Sequence, residues 1–411
     1  MGTIRAARLP VCVTLLAVGL AAEPPEERTL PQASIAGSAL PGGLRLDVVV
    51  EQDLDLPDMA ALTVGGRKGR EFAGGVKAGD DVAVLTDPAS PGPAIFKGEV
   101  VGIEPVVDPG GSSRVVIRAF NRLHRLTGPA RTRDFFDTTD GEIVETIATE
   151  NGLVPAASGE VDIKYDHVFQ HNQTDLEFLR ERAGRLGYEV WVEDTKLFFA
   201  APPVFPPVAV ARRPRHGEAR LVKFHPRLAS SETVQQVVVQ GRDPEGHELV
   251  GKAAAPTILL QPGEPDPGLV LGRTLTFTVD HPISSVEEAN AIAKAILEDR
   301  LLSFVTGEAQ SVGRPELRPG RTVAIAGLDG RFDGSYYVAG ARHTYSPGQL
   351  CGGYKTSLRL RRAPEAGLFF LPEIDDEVLL AFTRGDVSQP FVVGTLWDDD
   401  GGCAPDPPPR D

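Results

Sequence analysis

From Leu44 onward, apolar and polar positions alternate: Leu44, Leu46, Val48 and Val50 face one way, Arg45 and Asp47 the other. Period two is the signature of a half-buried strand. The same pattern predicts strands at Asp81–Leu85, Ile95–Val101 and Arg114–Ala119, separated by Gly/Pro/Asp turns such as Ala78-Gly79-Asp80. Short strands with frequent turns predict a small barrel or sandwich, and residues 29–128 are read as one such β domain.

The period then changes. Thr139-Asp140 caps a predicted helix carrying Ile143, Val144, Ile147 and Ala148 at i, i+4 spacing, which ends near Asn151-Gly152. Thr174-Asp175-Leu176-Glu177 is a capping box, followed by the apolar stripe Leu176, Leu179, Ala183, Leu186 and the stop residue Gly187. Tyr188–Val192 and Lys196–Phe199 read as a hairpin about Glu193-Asp194-Thr195. Residues 129–205 are therefore expected to be an α+β insertion, closed by a Pro-rich stretch. Alternation returns at Thr233–Gln240 and Arg273–Val279. A helix follows from a second capping box, Ser285-Val286-Glu287-Glu288, to about Leu301, and then strands at Val323–Ile325, Tyr336–Ala339 and Thr356–Leu360. Residues 206–362 are read as a second β domain. Residues 363–398 hold two more strands, Glu377–Phe382 and Phe391–Gly394, and 399–411 form an acidic Pro-rich tail.

Composition narrows the function class. The 411 residues carry 42 Lys+Arg and 57 Asp+Glu, a formal net charge of −15, which argues against a general nucleic-acid binder needing basic patches. The 44 Gly and 35 Pro suit a fold with many turns. Cys12, Cys351 and Cys403 are too few and too scattered for a disulfide framework or a zinc knuckle. At the N-terminus, Arg5 and Arg8 precede the apolar run Val11–Ala22 and a small-x-small site at Gly19-Leu20-Ala21. This has the layout of a secretory signal, and a disordered extension or a misassigned start is the equal alternative for residues 1–28. The run is too short to span a bilayer, which takes about 20 residues.

Candidate chemistry is sparse. His247-Glu248 begins like a zinc-protease helix, but the second His is missing. His167 and His171 are four apart in a segment that ends at a capping Thr, and so are not expected to share a helical face. Neither a phosphate loop nor a nucleophile elbow is present in the sequence. Cys351 sits in a Gly-rich turn with no identifiable base. Glu142 with Glu145, or Glu373 with Asp375 and Asp376, could form a glycosidase pair, but a solvated acidic face is the favoured reading. Aromatics at 6% also disfavour a sugar cleft. No catalytic, cofactor-binding or metal-ligating residue is assigned, no cofactor is expected, and the chain is read as a structural protein.

Three segments carry a family resemblance. His171–Leu179, continuing to Gly187-Tyr188-Glu189-Val190-Trp191, resembles the T-D-x-x-F-L-x-R-x-A-x-x-x-G-Y signature of phage late control protein D and VgrG hubs. Ala183 fits, whereas the Arg position is Glu181, flanked by Arg180 and Arg182. Leu317–Gly320 through Gly334–Val338 and His343-Thr344-Tyr345 resembles the closing strands of the second hub barrel. Leu368–Val378, with Gly385-Asp386 and Gln389–Trp397, resembles the later strands of the spike's OB-fold.

The resemblance implies a mainly β fold: two tube-like β-barrel hub domains, a small α+β insertion and a partial OB-fold at the C-terminus. It also implies a homotrimeric baseplate hub of a contractile injection system, type VI or extracellular particle, joining the inner tube to the spike. Its partners would be the inner tube protein, a spike or spike-tip protein, other baseplate proteins and effector cargo, with no nucleic acid. Such a part assembles in the cytoplasm and ends up extracellular or injected, which the signal-like N-terminus does not match. Only Ala363–Gly367 separates Arg362 from the OB-like segment, so the early OB strands are expected to be missing, and no needle repeat follows Trp397. Two other readings stand beside this one: a peptidoglycan hydrolase carried on a tail hub, and a secreted binding module built on a hub-like barrel.

Overall fold

The computed structural model describes residues 31–41, 44–85, 94–107, 113–158, 163–214, 218–228, 234, 236–242, 246–254, 274–278, 283, 285–303, 305–328, 332–347, 353–362, 378–382 and 390–395. The signal-like segment, Cys12, Cys351, Cys403, Glu373, Asp375, Asp376 and the acidic tail lie outside them.

The first β unit holds β1 (Gln32–Ile35), β2 (Ser38–Ala39), β3 (Leu46–Asp53), β4 (Met59–Gly65), α1 (Gly66–Ala73), β5 (Asp81–Leu85), β6 (Phe96–Val107) and β7 (Ser113–Phe120). Its strands run in the order β3-β4-β7-β6-β5-β1-β2. The alternation seen in the sequence is the inside–outside alternation of the sheet: Ala60, Leu62 and Val64 of β4 are buried and their neighbours only half so. They meet Val50, Val84, Ile117 and Ala119 in one core. Helix α1 was not expected, because Gly66–Ala73 is polar and holds two glycines. Packing makes it: Gly69, lacking a Cβ, sits 3.0 Å (as a built Cβ) from the Val64 backbone.

A 3-10 turn, Arg122–Thr127, leads into the first insertion and sends Leu123 and Leu126 into that insertion's core. The insertion comprises β8 (Arg131–Thr139), α2 (Asp140–Glu150), β9 (Val154–Ser158), β10 (Lys164–Gln173), α3 (Asp175–Leu186), β11 (Glu189–Glu193) and β12 (Lys196–Ala200). Strands β8 and β10 form an antiparallel ribbon, and β11-β12-β9 form a second small sheet. Helices α2 and α3 fill the core with Ile143, Ile147, Leu176 and Leu179.

Six strands then close the second barrel: β13 (Val208–Ala211), β14 (Ala219–Leu228), β18 (Val305–Val312), β19 (Thr322–Ala326), β20 (Gly334–Tyr345) and β21 (Tyr354–Arg362). They run β19-β13-β14-β18-β21-β20, and the pairing of β19 with β20 completes the ring. The middle of this stretch departs from the single β domain read from the sequence. Strands β15 (Gln236–Arg242), β16 (Glu248–Ala254) and β17 (Thr274–Thr278) make a separate sheet, covered by α4 (Val286–Leu302), with its own core of Val237, Val239, Ile283, Ala289, Ile292 and Ala293. Gly251 allows the contact, since a Cβ there would overlap the Ala289 backbone.

Strand β20 also pairs with β3, placing His343 opposite Val50 and Tyr345 opposite Val48. The first β unit and the closed barrel are thereby one 13-stranded sheet. Lastly, β22 (Val378–Phe382) and β23 (Pro390–Thr395) pair antiparallel as a hairpin.

Candidate functional site: the joint between the barrels and the first insertion

The longest motif is a folding device. Thr174 accepts the Glu177 amide while the Glu177 carboxylate takes the Thr174 amide at 2.8 Å, so two orphan donors of α3 are satisfied. Asp175 is buried at 4% exposure and accepts from Arg133 (2.7 Å), Gln170 (3.1 Å) and Asn151 (3.1 Å). It ties β8, β10 and the end of α2 to the start of α3. Phe178 stacks on Phe135, and Gly187 stops the helix at φ +69°. Replacing Thr174 with alanine should cost about 1 kcal/mol, measured as a lowered urea midpoint with an unchanged slope.

Glu181 faces outward and accepts from Gln173 at 2.6 Å. The inward arginine is Arg182, one turn after Phe178: it pairs with buried Asp140 and lies 4.6 Å from the Tyr165 ring centre. Ser285 forms the N-cap expected of it. It accepts the Glu288 amide, and the Glu288 carboxylate, 1% exposed, is engaged by Arg185 at 2.6 Å. That ion pair joins the first insertion to α4.

Further polar bonds lock the first insertion to both barrels. Arg122 bonds Asp81 of β5 and, at 2.8 Å, Asp194 at the β11–β12 turn. Arg125 grips Glu99 with two bonds of 2.6 and 2.9 Å, and those bonds hold the Glu99 carboxyl below the usual carboxylate range. Tyr337 of β20 donates to Glu189 of β11 at 2.6 Å; burial raises the Glu189 carboxyl. Arg180 donates to the Leu54 carbonyl at 3.3 Å.

Where these units meet lies a cavity of about 120 Å3. Its walls come from the β3–β4 turn, Asn121, strand β11, the Pro203–Phe205 linker and the Arg318–Arg321 turn. Asp58 sits in it, receiving Gln52 Nε2 at 3.2 Å, and burial pushes its carboxyl up to about 6. Nothing in the local sequence marked these residues: the cavity assembles from positions up to 269 apart, Gln52 to Arg321.

The described residues considered for catalysis do not form the sites proposed for them, and Cys351, Glu373, Asp375 and Asp376 lie outside the described residues. His247 precedes strand β16, and Glu248 begins it, so the helix required for a zinc motif is absent at that place. His167 and His171 lie on strand β10, where they share one exposed face with Phe136 and Phe169 in a stack with centroids 4.9, 6.3 and 5.4 Å apart. Glu142 is spent on capping, its carboxylate on the Thr139 amide at 2.8 Å. Among the described residues no group of three or more His, Cys, Asp or Glu could hold a metal ion. Among them, too, no helix is long and apolar enough to cross a membrane.

Residues 77–346, about two-thirds of the chain, match the family model described as the Alg8 N-terminal domain. Residues 358–397 match the type VI secretion system/phage-baseplate injector OB domain, beginning inside β21. A probable baseplate hub protein of Escherichia phage P2 is 37% identical over 99 residues, which is 24% of this chain and 26% of the phage protein. The matched part is thus about a quarter of that relative's length.

Among solved structures, a tail protein from Neisseria meningitidis MC58 matches 81% of this chain and 96% of its own, with TM-score 0.59 and 16% identity. The 43 kDa tail protein of prophage MuSo2 from Shewanella oneidensis covers 81% and 98%, with TM-score 0.60 and 11% identity. An E. coli component of the type VI secretion system covers 89% and 99%, with TM-score 0.53 and 12% identity. The chain belongs to the family of the Alg8 N-terminal domain, residues 358–397 match the type VI/phage-baseplate injector OB domain, and its fold is like that of the phage tail proteins and the type VI secretion component it resembles.

Proposed function

We propose that this chain is the structural hub of a contractile, phage-tail-like baseplate, working as a trimer that joins the inner tube to the spike. The observation that carries the reading is the order of parts: a tail-protein fold followed directly by an injector OB segment. Two barrel units per chain give six in a trimer, which reconciles a three-fold spike with a six-fold tube. The single sheet through both units and the ion pairs bolting the insertion to them suit a part that transmits load without hinging. The role is structural rather than enzymatic. The partners are tube, spike and other baseplate proteins, with effector cargo as a passenger. The protein would assemble with its particle and leave the cell or enter a target as part of it.

Crosslinking and negative-stain imaging of the full chain mixed with its tube protein test this directly. Three-fold rings capping tubes are expected; absence of any tube binding would retire the proposal. The hydrolase alternative has one cheap test of its own, a peptidoglycan zymogram from acid to neutral pH, in which no clearing is expected.

A further inference from the structure

The turn that closes one wall of the joint cavity holds two arginines together. Arg318-Pro319-Gly320-Arg321 is a type II turn: Pro319 sets the second position, Gly320 takes φ +78° at the third, and the Arg321 amide donates to the Arg318 carbonyl at 3.3 Å. The ends of such a turn lie within about 7 Å of each other, so the two side chains start from neighbouring points. Strand β20 fixes the turn, since Gly320 donates to the Val338 carbonyl at 3.1 Å and the Val338 amide donates to Arg321 at 2.9 Å. Both arginines line the cavity. Among the described residues neither guanidinium has a hydrogen bond or an ion pair.

Arg321 is positioned by a face contact, its guanidinium lying 3.3 Å from the centre of the Phe205 ring. Stacking uses the flat face of the group and leaves its in-plane N–H donors free. Burial and repulsion from Arg318 lower Arg321 and outrank the attraction of Glu193 and Glu316. The acids on the other walls are already engaged. Asp53 holds Arg359 at 2.7 Å, and Glu189 accepts from Tyr337 at 2.6 Å. Asp58 accepts from Gln52, Asn121 and the Asp53 backbone, with Arg318 the weakest influence on it. Glu193 stands exposed at the rim. These acids penalise a dianion more than a monoanion. Trp191, Leu56 and Phe205 supply an apolar side to a space of about 120 Å3, which takes a group of side-chain size.

We infer that this cavity is a binding site for a carboxylate carried on a small apolar body, the carboxylate held by Arg318 and Arg321 and the body by Trp191 and Leu56. The arginine fork matches the two oxygens of a carboxylate, and charge assistance strengthens each bond. The same chemistry is carried by a small organic acid or by an acidic side chain of a neighbouring protein. The inference does not depend on the hub reading. Because the cavity is walled by the β3–β4 turn, strand β11 and the Arg318–Arg321 turn, an occupant would brace the first β unit, the first insertion and the closed barrel together.

The test is titration of the full chain at pH 7.5 with benzoate, benzamide or inorganic phosphate at equal ionic strength, read by Trp fluorescence and thermal unfolding. Benzoate should change the emission of Trp191 and raise the unfolding midpoint by a few degrees. Benzamide, which has the same shape without the charge, should bind at least tenfold more weakly, and so should phosphate. Arg318→Gln and Arg321→Gln should each weaken benzoate binding at least tenfold. Should either variant fail to fold, the side-chain NMR signals of Arg318 and Arg321 in the unmodified protein should shift with benzoate and stay fixed with benzamide. A blocked Gly-Glu-Gly peptide binding at least tenfold tighter than benzoate would assign the site to a partner's acidic side chain, and equal or weaker binding to a small acid. Equal response to benzoate and benzamide, tighter binding of phosphate than of benzoate, or no response to benzoate or the peptide would overturn the inference. So would a benzoate response that both arginine substitutions leave unchanged.

Discussion

Replacing Arg182 with alanine should destabilise the protein by about 3–5 kcal/mol, the largest effect expected of any single change considered for this chain. Arg182 and its partner Asp140 are both buried, 6% and 8% exposed. Their attraction alone does not justify the number, because desolvating two charges offsets most of it. The cost comes from what the substitution leaves behind. Asp140 would keep Tyr165, whose hydroxyl donates at 3.3 Å, but would lose the one countercharge that pairs with it among the described residues. The guanidinium also fills space against the Tyr165 and Phe178 rings, 4.6 and 6.0 Å from their centres. A control separates the two contributions: Asp140→Asn combined with Arg182→Met removes both charges while keeping bulk, and should recover more than half of the loss. Urea denaturation followed by Trp fluorescence reads the result, since Trp191 lies in the same insertion.

The second large effect is in acid, and it is masked in the unmodified protein. Burial raises the Asp58 carboxyl from its ordinary 3.8 to about 6, so the fold favours its protonated form. Its contribution is fully present below pH 3.8 and is lost as pH rises through about 6. Burial lowers the His343 imidazole from 6.5 to about 4, so the fold favours its neutral form. That contribution is fully present above 6.5 and is lost as pH falls through about 4. The two slopes oppose each other between pH 4 and 6, at about 1.4 kcal/mol per unit each. Stability should therefore be nearly flat there. Asp58→Asn removes one slope and should unmask the other, making stability at pH 4.5 lower than at pH 6.5 by roughly 2 kcal/mol more than in the unmodified protein. An unchanged pH profile of the urea midpoint in that variant would contradict the assignment.

The strands were legible because each barrel wall has one wet and one dry face, as β4 shows with Ala60, Leu62 and Val64 turned inward. The caps at Thr139 and Thr174 were legible because their chemistry is complete within four residues. What alternation does not carry is the identity of the partner strand. Strand β15 has the same pattern as its barrel neighbours, yet pairs with β16 and β17 in a separate sheet under α4. The pairing of β3 with β20 joins segments nearly 300 residues apart and has no local trace. Helix α1 was hidden because tertiary contact, not propensity, holds it. The motif arginine looked lost when its position was counted by alignment, whereas helical periodicity puts Arg182 on the face of Phe178 and Leu179. The cavity residues Gln52, Asp58 and Asn121 could not be found from sequence at all, since each is an ordinary turn or strand-end residue until the chain closes around it.

The central claim is that this chain is a trimeric hub. The most direct measurement is the mass of the full chain in solution by sedimentation equilibrium at micromolar concentration. A species of about three times the 43.9 kDa chain mass is predicted. A strict monomer across that range, unaltered by added tube protein, would contradict it.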